Sequence, residues 1–131
     1  MNLRSIAIDE RIAFLHLARH AIAADGVITT DEETRLEDCR RMAGLIGKER
    51  AEDLPWQAAA QRIQNRQSRK VIFLALCGLL YADQTLDPAE ASWIDEVRQV
   101  WDLDEAFATA CLDLTSRQAA LQLEAADLVG E

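Results

Sequence analysis

An all-helical bundle is the fold class this sequence predicts, on three observations. Only five glycines and two prolines punctuate the 131 residues. Ala, Leu, Glu, Gln and Arg, the strong helix formers, dominate, and no stretch alternates apolar and polar residues as a half-buried strand does. Apolar residues recur instead at steps of three and four, the spacing of one helix face. Half of the residues are hydrophobic and 28% are charged, a composition that supports a packed core. The length suits a single domain over 1–131.

The elements follow in order. Ile8, Ile12, Leu15 and Ile22 mark a first helix that ends near Ala24. A second runs from about Thr30 to Ala43, with Leu36, Cys39 and Met42 on one face, and Gly44 and Gly47 mark its end. "DLPW" (53–56) opens a third, with Pro55 in its first turn. The central helix runs from about Ser68 to Ala82 and carries the longest apolar run, "VIFLALCGLLYA" (71–82). Twelve residues are too few to span a bilayer and suit the most buried helix of the bundle. "DPAE" (87–90) opens a helix that reaches Trp101, "DLDEAF" opens a sixth, and "TSRQAA" restarts a seventh that frays at Val129-Gly130. About seven short helices with short loops imply neighbours packed against each other.

Shifted by 58 residues, the chain matches itself. "AADGVITTDEETRLEDCRRMAGL" (23–45) lies over "YADQTLDPAEASWIDEVRQVWDL" (81–103). Ala24, Asp25, Glu32, Arg40 and Leu45 fall on Ala82, Asp83, Glu90, Arg98 and Leu103. The copies span about 8–46 and 68–104, with C-terminal helices over 104–129. Two helix–loop–helix copies predict a compact bundle with a pseudo-two-fold relation, not a solenoid.

The repeated loop has a structural explanation for most of its residues. Gly26 stands where a helix ends and the chain needs a positive φ; Gln84 takes that place in the second copy. Thr29 and Asp87 are N-caps, Pro88 is a first helical residue, and Glu32 and Glu90 follow at capping-box spacing. Asp25 and Asp83 lack such a role. Each follows a helix C-terminus, where the macrodipole disfavours negative charge. An Asx-turn, an arginine such as Arg40 or Arg98, or a bound cation would offset that.

From Asp25 to Glu32 the spacing D-G-x-I-x-x-x-E matches the second half of an EF-hand loop, but Ala21 and Ala23, and Leu79 and Tyr81 in the second copy, stand where the first half needs acids. Calcium takes six to eight oxygens, which argues against an EF-hand pair. The doubled motif, preceded each time by an apolar helix, resembles the tellurite-resistance TerB-like family and its paired A-D-G-x-[IV]-x-x-x-E loops. The resemblance covers nearly the whole chain. It implies an all-helical cytoplasmic protein of the stress response, with no enzymatic activity and with Asp25, Glu32, Asp83 and Glu90 as divalent-metal ligands. Calcium, magnesium and zinc are the candidate ions. Gln84 in place of glycine departs from the pattern and argues against two equal sites.

Net charge argues against other classes. At −9, the chain is repelled by nucleic acid and anionic lipid. No acid occurs from Leu54 to Ala82, where Arg62, Arg66, Arg69 and Lys70 contribute +4; a solvated helix face is the simpler reading, an acidic partner the other. Cys39, Cys77 and Cys111 form no C-x-x-C pair and read as buried reduced thiols. The N-terminus lacks a secretory signal. His16 and His20, four residues apart, have zinc-binding spacing, with two partly exposed histidines as the plainer account. Trp56, Trp93 and Trp101 read as core anchors or a binding patch. No catalytic motif appears. Two functions compete: a TerB-like metal-binding stress protein, and a metal-independent helical interaction module, co-chaperone-like, that binds other proteins or a second copy as a homodimer. A metal-dependent hydrolase using clustered carboxylates is the third.

Overall fold

The computed structural model describes residues 6–22, 30–44, 55–81 and 88–130, apart from the side chains of Asp31, Glu32 and Met42. Among the described residues there are six helices and no strand. They are α1 (Ile8–Ile22), α2 (Thr30–Met42), α3 (Trp56–Gln61), α4 (Arg66–Leu80), α5 (Pro88–Val100) and α6 (Glu105–Val129). No helix among them is long and apolar enough to cross a membrane.

The local chemistry of the helix ends explains their bounds. Asn65 caps α4 by accepting the Ser68 N–H at 3.0 Å. Pro88 is the first residue of α5, where its missing N–H costs nothing. Pro55 stands one residue ahead of α3 and not within its first turn. The end of α5 closes as a Schellman motif: the Leu103 N–H reaches Arg98 O at 3.0 Å and the Asp102 N–H reaches Gln99 O at 3.1 Å. Asp102 takes the left-handed position, φ 52°. At the end of α2, Gly44 does so at φ 70°, and its N–H reaches Arg41 O at 3.0 Å.

The C-terminal segment is one helix where the sequence suggested two. α6 runs unbroken for 25 residues through "TSRQAA". No glycine or proline interrupts it. The Thr115 hydroxyl donates back to Cys111 O at 2.8 Å, so the threonine is satisfied inside the helix and does not cap a new one.

α1 packs against α2, α3 and α4, while α4 also meets α5 and α6. The expectation that residues 71–82 form the most buried helix needs correction. α1 is buried without a break from Ala13 to Ala18 and again at Ala21 and Ile22. In α4, Ile72, Phe73, Ala75, Leu76, Cys77 and Leu80 are buried, but Leu74 and Leu79 are only half-buried and Gly78 is exposed. Each fully buried large side chain contributes about 1.5–3 kcal/mol relative to exposure. Polar ties lock the layers. The Trp101 indole N–H donates to Ala60 O at 2.9 Å, joining the end of α5 to α3. Arg11 Nη1 donates to Ala43 O at 2.9 Å, Arg35 Nη2 to Leu79 O at 2.8 Å, and the Ser68 hydroxyl to Glu10 Oε1 at 2.9 Å.

The three cysteines are free and buried. Burial raises their pKa values, Cys39 to about 11, so they stay protonated and unreactive. The basic stretch divides. Arg62 and Arg66 are exposed, as a solvated face requires. Arg69 Nε donates to Ile63 O at 2.6 Å, and the Lys70 ammonium sits over the Phe107 ring, 5.4 Å from its centroid.

Candidate functional site

A cleft of about 200 Å³ opens where three helix ends meet. His20 and Ala21 come from the last turn of α1, Leu80 from the end of α4, and Ala89, Glu90 and Trp93 from the start of α5. Each position follows from local sequence. Ala21 and Leu80 continue the apolar faces of their helices. Glu90 lies in the first turn of α5, where a carboxylate complements the helix dipole. Trp93, one turn later, is 8% exposed and forms the cleft wall.

Behind this wall stands Trp56, the first residue of α3. The two indoles meet edge to face with centroids 5.8 Å apart. The His20 ring tilts against Trp93 at 5.2 Å and Trp56 at 6.2 Å. Partial burial of that ring lowers the His20 pKa below 6.5, while the Glu96 carboxylate pulls it the other way. The Trp93 indole N–H is buried and has no hydrogen-bond acceptor among the described residues. The C-terminal ends of α1 and α4 bring the negative ends of their dipoles to the cleft and Glu90 adds a carboxylate, while the N-terminus of α5 brings a positive end.

The four expected ligands are distributed as follows. Glu90 is half-buried and lines the cleft. Asp25 and Asp83 lie outside the described residues, as does the side chain of Glu32, which belongs to α2. Gly26, Thr29, Gln84 and Asp87, read above as turn and cap residues, also lie outside them. α1 ends at Ile22 and α4 at Leu80, each three residues before its aspartate. Among the described residues, no group of three or more His, Cys, Asp or Glu is placed to hold a metal ion.

The histidines part company. His16 is 5% exposed within the core, contrary to the reading of two partly exposed side chains, while His20 is exposed at the cleft. All three tryptophans are buried in the core; of them Trp93 also lines the cleft, with Trp56 packed behind it. Sequence reasoning missed the His20–Trp93 contact. A signal was available: Trp93 stands where the first copy has Arg35, a large aromatic replacing a charge. The class defined by these features is an all-α bundle with an aromatic-walled cleft between helix ends. No family model, curated protein or solved structure matches the chain.

Proposed function

We propose that this chain is a TerB-like cytoplasmic stress-response protein, related to tellurite resistance, whose paired acidic loops bind one divalent cation. The observation that carries the reading is the cleft. The last turns of α1 and α4, which precede Asp25 and Asp83 in the sequence by a few residues, line it together with Glu90. One ion between the loops would draw on Asp25, Asp83 and Glu90, with Glu32 as the fourth carboxylate. Carboxylate oxygens favour calcium or magnesium over zinc.

The pseudo-two-fold arrangement belongs to the same proposal. The ranges of α1 and α4, and of α2 and α5, are both offset by 58 residues, Ile8 to Arg66 and Thr30 to Pro88. Ser68 bonds Glu10, its own counterpart under that offset, as residues beside a two-fold axis do. Arg40 pairs with Glu37 in α2 as Arg98 pairs with Asp95 in α5.

The test compares melting temperature in excess calcium, magnesium or zinc with that in chelator, for the native chain and for D25N/D83N. A cation that binds only the folded state raises the melting temperature by mass action. Affinity on the order of micromolar to millimolar is expected for a site completed by carbonyls and water. Trp56 and Trp93 provide a fluorescence readout at the same place. A shift abolished by the double substitution supports the site. No shift with any ion, or one that survives D25N/D83N, transfers the weight to the interaction module. That second reading has its own support in the exposed leucines of α6.

A further inference from the structure

α6 outruns the bundle. Its buried residues end at Thr115, and from Ser116 to Gly130 every residue is exposed except half-buried Ala119. That free portion extends roughly 21 Å at 1.5 Å per residue. A helix this short is marginal in water without a packed face. It nevertheless displays Leu121 at 62% exposure and Leu128 at 84%. These leucines belong to a series at steps of seven, Phe107, Leu114, Leu121 and Leu128. A seven-residue step drifts only about 20° around a helix, so the series keeps to one side. Phe107 ties its first member to the bundle, with its ring centroid 6.0 Å from that of Phe73.

We propose that two copies of this chain associate through that seam, their α6 helices antiparallel. With the leucines at d positions, the a positions of the free portion are Gln118 and Ala125, and Arg117 and Glu124 occupy successive g positions. An antiparallel pair brings g against g. Arg117 of each copy then meets Glu124 of the other, twice by symmetry. The same register sets Leu114 against Ala125 and Leu121 against Gln118, a large side chain against a smaller one in both layers. A parallel pair would oppose Arg117 to Gln122 and Glu124 to Val129, with no charge match. Arg117 is already held on the outer surface of α6 by Asp113, 3.1 Å away, and is exposed there to a second carboxylate. From Leu114 to Ala125 the seam is thus complementary to itself, which selects a second copy as the occupant.

The experiment is sedimentation equilibrium of the full chain from about 1 µM to 1 mM, a range that covers interactions of modest affinity. The native chain should dimerise. L121D removes an exposed side chain and should leave helicity and melting of the monomer unchanged, while weakening the dimer roughly 100-fold, since two leucines lose their burial. R117E should weaken it about tenfold or more by setting Glu124 against a like charge, and R117E/E124R should restore it. A native chain that stays monomeric throughout overturns the proposal, as does an L121D dimer as tight as the native one. A dimer lost in L121D yet indifferent to R117E overturns the antiparallel order.

Discussion

α1 and α4 share the 58-residue offset at which the sequence matches itself, and their differences show how similar helices are finished by what surrounds them. Five positions are buried in both: Phe14 and Ile72, Leu15 and Phe73, Leu17 and Ala75, Ala18 and Leu76, Ile22 and Leu80. That common face is the repeated part. Beyond it the helices diverge. α1 also buries Ala13, His16 and Ala21, whose counterparts Val71, Leu74 and Leu79 are only half-buried. α4 buries Cys77, whose counterpart Arg19 is exposed. The cause is the helix outside the repeat that each one meets. α1 packs on α3 and α4 packs on α6, where a Cβ added at Gly78 would meet the Thr115 methyl at 3.9 Å. Equivalent backbone positions therefore carry opposite chemistry without conflict.

The sharpest way to break this comparison is to exchange residues at one equivalent pair. Cys77→Arg should destabilise by about 3–5 kcal/mol, because it buries an unpaired charge between α4 and α6. Arg19→Cys should stay within about 0.5 kcal/mol. Denaturant unfolding measures both, and similar losses at the two sites would show that their environments do not differ. The common face makes the complementary claim. Leu17→Ala and Leu76→Ala, both at fully buried positions, should each cost about 2–5 kcal/mol. A loss below about 1 kcal/mol at either, the scale of a surface change, would remove that helix from the core.

Smaller effects concern the helix ends. Gly44 and Asp102 are equivalent and both left-handed, but only glycine holds that conformation without a Cβ clash. Asp102→Gly should stabilise by up to about 1 kcal/mol, reduced by the entropy that glycine adds to the unfolded chain, and Gly44→Asp should destabilise by a similar amount. Thermal melts of the pair test whether the two ends share one geometry, since equal and unfavourable changes at both would show that they do not.

The smallest expected effect is pH dependence in the arginine pairs. Arg98 Nε lies 2.9 Å from Asp95, against 3.6 Å for Arg40 and Glu37. Hydrogen bonds from Arg98 and Gln99 hold the Asp95 pKa below its ordinary 3.8. A carboxylate depressed in the folded state adds stability above its unfolded pKa and loses it as pH falls through the folded one. The native chain should therefore lose its advantage over Asp95→Asn below about pH 4. Melting curves of both proteins that keep a constant separation from pH 6 down to about 2.5 would rule that contribution out.

Helix type and placement were legible because they depend on near neighbours. Apolar residues at steps of three and four, a proline at the start of α5 and a glycine at the end of α2 act within a turn or two of where they stand. The offset of 58 residues was legible for the same reason, since both copies repeat these local signals. The expected break in α6 failed on the same scale: a threonine resembles a cap in sequence, but its hydroxyl bonded back within its own helix.

The site was legible only in part. Glu90, which the repeated motif singled out, lines the cleft, but His20 was grouped with His16 by spacing alone. Packing separated them, sinking one into the core and leaning the other on Trp93 and Trp56. The sequence by itself determined an all-helical chain and the 58-residue offset that α1 and α4, and α2 and α5, share. Only the tertiary structure decided which helix covers which face, that the ends of α1, α4 and α5 share a cleft, and that α6 projects beyond the core. Those outcomes depend on contacts between residues tens of positions apart, where burial of one face competes with every other, and no local pattern encodes the winner.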